Sequence, residues 1–190
     1  MSFLQLAKDR YSVRRFEDKK VEQEKLDLIL EAGRLAPTAV NYQSQRILVM
    51  DNEDSLNALK QCTKYHFNAP LTLMVCYDSS ASWKNPFNKE DDGIFDATIV
   101  ATHMLFEVTE LGLGATFVAD FDSEMARKVF NLPDYIVPVA LLPIGYPSEK
   151  SVPTKLHGMR KDIKETVFYN TFEGIKQGKI DESQHKLLAK

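Results

Sequence analysis

The chain has 190 residues, 44% of them hydrophobic and 27% charged, with a formal net charge of −3. That is the balance of an ordinary globular protein and the length of one domain, or of one domain with a tail. It argues against a general nucleic-acid surface, which carries a basic stripe on a basic domain, and no run approaches the ~20 apolar residues of a membrane helix.

Only Cys62 and Cys76 are present, with no CxxC, so neither a disulfide framework nor a Cys-rich zinc site is expected. The usage fits a reducing cytoplasm. A chain this long buries roughly 70% of its unfolded surface and needs no staple. Lys8, Asp9 and Arg10 interrupt any signal-peptide core near the N-terminus.

Ser2 is placed to cap a helix over Phe3–Arg10. A second helix is expected over Glu22–Leu35, with Leu26, Ile29, Leu30 and Gly33 at helical spacing and Pro37 ending it. Strand character follows at Gln45–Asp51, then a short helix at Glu53–Cys62, then a strand at Leu71–Asp78. Asp91–Leu111 reads as the longest helix, apolar on nearly every face. Such a helix belongs at the centre of the domain or of a dimer, and His103 on it reads as a core histidine. Ala115–Ala119 is a third strand, Ser123–Phe130 a helix, and Ile136–Ile144 a fourth strand. Pro138 and Pro143 mark that strand as an edge or as irregularly paired. Thr171–Lys190 reads as a C-terminal arm with Phe172, Ile175, Leu187 and Leu188 as its contacts, after a domain spanning residues 1–170. The expected class is α+β, a mixed and mainly antiparallel sheet flanked by helices.

Charge is unevenly placed. Lys8–Lys20 holds six cations against three anions, and Glu149–Lys164 holds five against two, so each is locally +3. These are either solvated runs or two ends of the chain meeting on one anion, a role that suits the arginine fork. The phosphate loop, the GxSxG elbow, HExxH and a dinucleotide fingerprint are all missing. The four histidines lie far apart in sequence, so no metal site is expected. Asp91/Asp92 and Asp120/Asp122 fit helix starts better than acid–base pairs.

Four strings remain. In Arg10-Tyr11-Ser12-Val13-Arg14-Arg15-Phe16, an extended backbone puts Arg10, Ser12 and Arg14 on one face; the string serves a phosphate-bearing ligand or an ordinary polar edge. Leu35-Ala36-Pro37-Thr38-Ala39-Val40-Asn41-Tyr42-Gln43 offers amides and close backbone approach after a helix. Gly112-Leu113-Gly114-Ala115-Thr116-Phe117-Val118-Ala119 turns a helix into a strand. Leu142-Pro143-Ile144-Gly145-Tyr146-Pro147 leads into the stretch ending at Arg160-Lys161.

In this order, over roughly residues 3–170, these strings resemble the short branch of the nitroreductase family of FMN-dependent oxidoreductases. The resemblance implies a domain-swapped homodimer with FMN at its interface. Arg10 and Ser12 would hold the phosphate and ribityl chain, Tyr11 and Val13 would belong to the same cofactor-binding string, and Arg14 would sit beside flavin N1. Pro37, Thr38, Ala39, Asn41 and Gln43 would come from the other protomer. Phe117, Val118 and Ala119 would lie against the ring, and Arg160 with Lys161 would close on the phosphate. Gly158 stands where many relatives carry another basic residue. Asp120 replaces a common small residue and is expected to cap the following helix. Tyr65, Phe67, Trp83 and Phe87 are candidate lid aromatics. NAD(P)H would deliver a hydride to flavin N5 and a small aromatic acceptor would take it, ping-pong, with no side-chain acid or nucleophile. The alternatives are a flavin-binding module for storage or sensing, and a cofactor-free interaction domain whose apolar helix is a dimer seam.

Overall fold

The computed structural model describes residues 2–175 and residue 178. The chain divides into a first unit, Met1–Val152, and a second that begins at Pro153. The first holds the sheet and most helices. Helix α1 (Phe3–Asp9) is capped by the Ser2 hydroxyl, which accepts the Gln5 N–H at 3.2 Å. Helix α2 (Gln23–Arg34) buries Leu26, Ile29 and Gly33, a stripe at helical spacing. Strand β1 (Gln45–Met50) precedes α3 (Glu53–Leu59), capped by Asn52. Strand β2 (Leu71–Asp78) is buried at every position. Then come α4 (Gly93–Glu110), β3 (Gly114–Ala115), α5 (Ser123–Val129) and β4 (Ile136–Gly145). The cap of α5 is Asp122, whose carboxylate accepts the Met125 N–H at 2.9 Å; the assignment of that role to Asp120 does not hold.

The sheet order is β1-β2-β4-β3, every strand pair antiparallel. The class is α+β as expected. β4 is not an edge, since it lies between β2 and β3. Its pairing is irregular as expected: Ala140 faces Val75 and Pro138 faces Cys76, which leaves Val139 bulged beside the proline.

Alternation along β2 divides the core. Leu71, Leu73, Val75 and Tyr77 face a cluster with residues of α2 and α4, including Ile29, Val100 and Met104. Met74 and Cys76 face the other side, with Met50, Leu59, Cys62 and Ala126. Helix α4 therefore packs on one face of the sheet and against α2. It is not enclosed all round within one chain. Ala97, Val100, Ala101, Met104 and Val108 are fully buried, whereas Phe95 is 62% exposed and Ile94 and Ile99 also face outward. His103 is exposed on that outer side, so the reading of a core histidine fails. The sequence pattern could not separate a face buried by the fold from an apolar face left open.

The second unit begins with α6 (Lys155–Gly158) and a single 3-10 turn over Ile163–Glu165. Asp162 caps that turn by accepting the Lys164 N–H at 2.9 Å, and Glu165 accepts the Asp162 N–H at 3.2 Å. Rings of Phe168 and Phe172 lie 5.3 Å apart. Of the expected arm, residues 176, 177 and 179–190, with Leu187 and Leu188, lie outside the described residues.

Candidate functional site

The N-terminal arginine string runs extended along the free side of β3. Ser12 pairs in parallel with Ala115, and the Val13 N–H donates to the Ala115 carbonyl at 3.0 Å. Further on, Phe16 pairs with Pro147 and the Glu17 N–H reaches the Tyr146 carbonyl at 2.9 Å. Val13 is 2% exposed and points into the core, so alternation turns Ser12 and Arg14 the other way. Both are half-buried, and an Arg14 guanidinium nitrogen donates to the Ser12 carbonyl at 3.2 Å. Arg10, the extended residue that ends α1, is also half-buried. The Tyr11 hydroxyl donates to the Ser151 carbonyl at 3.1 Å and anchors the string from its other side.

The third string is bent more sharply than a five-residue strand allows. Gly112 closes α4 in the left-handed region, at φ 72°. Gly114 follows where a side chain would collide with Val13. Only Gly114 and Ala115 pair with β4 as a ladder. The chain then leaves the sheet and returns at Val118, which exchanges two 2.9 Å hydrogen bonds with Leu141. The predicted strand Ala115–Ala119 is thus a short strand plus one bridge. This excursion leaves Phe117 partly exposed and Ala119 and Asp120 exposed. Thr63 supports the turn, its hydroxyl donating to the Asp120 carbonyl at 2.8 Å. Beside it the Asp122 N–H donates to the Cys62 carbonyl at 2.8 Å, and burial, aided by the Asp122 charge, pushes the Cys62 thiol up.

Pro37 to Gln43 form a tight loop after α2. Val40, Asn41 and Gln43 all adopt left-handed φ, 53°, 57° and 53°. For valine that is a strained backbone. Two side chains hold it. The Thr38 hydroxyl accepts the Gln43 N–H at 3.0 Å, and the Asp96 carboxylate of α4 accepts the Ala39 N–H at 2.8 Å. Asp96 also accepts the Ser44 hydroxyl at 3.2 Å. It is 2% exposed. The side chains of Asn41 and Gln43 are exposed, and the Gln43 amide nitrogen donates to the Asn41 carbonyl at 3.4 Å. Sequence reasoning missed Asp96 and Thr63. The legible signal for Asp96 was a lone carboxylate in the buried stripe of an apolar helix.

Within the first unit the structure joins the arginine string to the Gly112–Ala119 turn, but not to the Pro37–Gln43 loop. The loop is fastened at Asp96, in the first turn of α4, whereas the string lies beside the segment that follows its last turn. Asp96 and Leu111 are fifteen residues apart, about 22 Å at 1.5 Å per residue. Between these ends apolar side chains are interspersed with Thr98, Thr102, Glu107 and Glu110. A cavity of about 620 Å³ is lined by Phe3, Leu6, Leu35, Ile99, His103 and Phe106, and the Phe3 and Phe106 rings meet edge-on at 5.0 Å.

In the second unit Arg160 and Lys161 are exposed just past α6, and Arg160 donates to the Met159 carbonyl at 2.8 Å. Of the candidate lid aromatics, Tyr65 and Phe67 pack against the Met50–Cys62 cluster, Trp83 is half-buried and Phe87 is 95% exposed. Among the described residues no helix is long and apolar enough to cross a membrane.

The family model described as Nitroreductase family matches residues 7–67 and 63–146. A protein of Methanothermobacter thermautotrophicus bearing the provisional name NADH dehydrogenase/NAD(P)H nitroreductase is 30% identical over 156 residues, covering 78% of this chain and 79% of its own. A crystal structure of a nitroreductase family protein from Clostridium difficile 630 superimposes with a TM-score of 0.85 at 38% identity, covering 90% of this chain and 99% of that one. A structure named FMN-dependent nitroreductase, from Clostridium difficile R20291, matches with a TM-score of 0.74 at 27% identity, over 90% of this chain and 100% of that one.

Proposed function

The chain belongs to the nitroreductase family, and from that membership we propose an FMN-dependent homodimer that passes a hydride from NAD(P)H to nitroaromatics, quinones or related electron-poor acceptors. As a family member it is an enzyme and an oxidoreductase. The FMN-dependent structural relative supports the flavin, and the name of the archaeal relative supports the donor.

The residues present fit FMN. An isoalloxazine edge alternates hydrogen-bond donors and acceptors, and its chain ends in a dianion. Arg10 and Ser12 supply a forked cation and a hydroxyl for that anion and chain, and Arg14 supplies a second forked cation for the ring edge. The exposed amides of Asn41 and Gln43 can both give and accept, as the ring edge demands. Phe117 and Ala119 offer an exposed apolar surface, and Val118 between them is buried and fastens the turn through its two hydrogen bonds to Leu141. Tyr11 and Val13 fasten the string rather than contact the phosphate chemically. Pro37, Thr38 and Ala39 shape the loop, and Arg160 with Lys161 is assigned to the phosphate.

One observation carries the dimer. The loop and the string would have to touch the same tricyclic ring, yet their attachment points on α4, Asp96 and Leu111, lie about 22 Å apart along the helix in one chain, farther than such a ring spans. A two-fold axis across the middle of α4 lays the Asp96 end of one copy beside the Gly112 end of the other. The apolar groove and the exposed Ile94, Phe95 and Ile99 lie along that helix, where such a pairing would cover them.

Bound FMN supplies hydride acceptance and donation at N5. The chain's own residues do the rest. Arg14, steadied by the Ser12 carbonyl, offsets negative charge on the polar ring edge through a fixed cation. The loop amides would orient the ring, and donor and acceptor would occupy the same space beside it in turn, which would give ping-pong kinetics. The lid aromatics take no part in this proposal.

Subunit complementation tests the reading. Arg14→Ala damages the string and Asn41→Ala the loop. In a mixed dimer both lesions fall in one site and the other site is intact. Each variant alone should be severely impaired, and a refolded mixture should regain about one native site in four. No recovery in a mixture shown to contain heterodimers overturns the shared site.

A further inference from the structure

We infer that Asp96 is a positioning residue of the flavin site: a buried carboxylate on α4 that holds the Pro37–Gln43 loop in its strained form and thereby sets the ring-reading amides of the partner's site. The inference rests on the flavin reading above.

Asp96 is 2% exposed, and the side-chain bonds it accepts come from two neutral donors: the Ala39 N–H at 2.8 Å and the Ser44 hydroxyl at 3.2 Å. Among the described residues no cation lies in ion-pair range of it. A buried carboxylate without a counter-ion is costly and is retained only where its acceptors are used. Here both oxygens are used, and both bonds go to the same loop. Its place in the first turn of α4 offsets part of the cost, because the N-terminal end of a helix favours negative charge.

The loop needs such a clamp. Left-handed Val40 is strained by itself, because its β-branched side chain crowds the backbone at positive φ, and Asn41 and Gln43 add to the strain. Ala39 enters the turn and Ser44 leaves it, so the carboxylate grips both ends of the strained segment. Thr38 closes the same turn through Gln43. Without the carboxylate the backbone of Val40 relaxes and Asn41 and Gln43 turn away from the ring edge. Asp96 then acts without touching flavin.

The test uses full-length protein and three variants. Flavin affinity is read by quenching of FMN fluorescence, and loop order by amide exchange of Ala39 and Gln43 in the flavin-free protein. Asp96→Ala should expose both amides to fast exchange and raise the FMN Kd at least tenfold. Asp96→Asn keeps an acceptor for Ala39 and should stay within a few-fold of native. Mixed with Arg14→Ala chains, Asp96→Ala should recover native sites, but mixed with Asn41→Ala it should not, because it is a loop lesion. A merely structural residue would lower the thermal midpoint of unfolding and show no such partner selectivity. Unchanged exchange and unchanged Kd in Asp96→Ala overturn the inference. If that variant does not fold, Ser44→Ala decides: faster exchange and weaker FMN binding support the clamp, and native values for both overturn it. If native protein takes up no FMN, the functional reading fails, and the exchange measurement still judges the clamp.

Discussion

The isopropyl group of Val13 fills the space that a side chain at Gly114 would need. A Cβ built on Gly114 would come within 2.5 Å of a Val13 methyl. This contact lets the arginine string lie flat on β3, with Ser12 opposite Ala115. Gly114→Ala should therefore push the string outward, costing about 1–3 kcal/mol as overpacking. FMN retention should fall with it, because Arg10, Ser12 and Arg14 move as one segment. Val13→Ala in the same chain removes the two methyl contacts, at 2.5 and 2.8 Å, and leaves the 2.7 Å contact with the residue 13 Cβ, so it relieves part of the clash. The pair should be less destabilised than the sum of the single changes, as measured by denaturant unfolding. Strict additivity would show that Val13 and Gly114 do not act on each other.

Arg14 and Arg160 should fail differently. Arg14 is fixed against the Ser12 carbonyl and is assigned to the ring edge, where charge develops. Arg14→Ala should slow anaerobic bleaching of the flavin by NAD(P)H and lower the flavin midpoint potential, with most FMN retained. Arg160 is assigned to the phosphate, so Arg160→Ala should mainly lower the FMN content of the purified protein. Full FMN content and native turnover in both variants would contradict both assignments.

Much of this was legible in the chain. Strand β2 was predicted to the residue because both its faces are buried and Asp78 stops it. Helix α2 was legible from Leu26, Ile29 and Gly33. The strand at 115–119 was misjudged because its length is set by β4, which it meets only at Gly114–Ala115 and again at Val118. The left-handed turn at Val40 was invisible, since valine gives no local signal for positive φ and a distant carboxylate imposes it. His103 was misplaced for a related reason. Periodicity reports that a face is apolar, and it does not report which chain covers that face.

Both cysteines should be inert in the native protein. Burial pushes the Cys76 thiol up to about 12, and the Cys62 thiol is also raised. The thiolate is the reactive form. A thiol reagent at mildly alkaline pH should therefore label neither residue in folded protein and both after denaturation. Rapid labelling of Cys76 without unfolding would show that the sheet face it occupies opens locally. The sign of the linkage is clear: a raised thiol helps stability below its ordinary value of 9.0, and that help is lost as pH climbs toward about 12.

Acid should release a different tie. Tyr146 donates its hydroxyl to Glu22 at 2.6 Å, and Lys19 lies 3.2 Å from the other carboxylate oxygen. The Tyr146 hydrogen bond, then the bond from the Glu22 backbone, then Lys19 hold the carboxyl at about 2, against an ordinary 4.5. A carboxyl depressed on folding stabilises the native state above 4.5, and that contribution fades as pH falls toward 2. The group lies at the surface, so the effect is small and weakens with salt. It still matters locally, because Tyr146 also accepts Lys25 at 3.0 Å and its carbonyl receives the Glu17 N–H that anchors the far end of the arginine string. Glu22→Gln should lower the thermal midpoint slightly at neutral pH and match native protein near pH 2. A deficit of equal size at both pH values would place the effect of the substitution in packing rather than in charge.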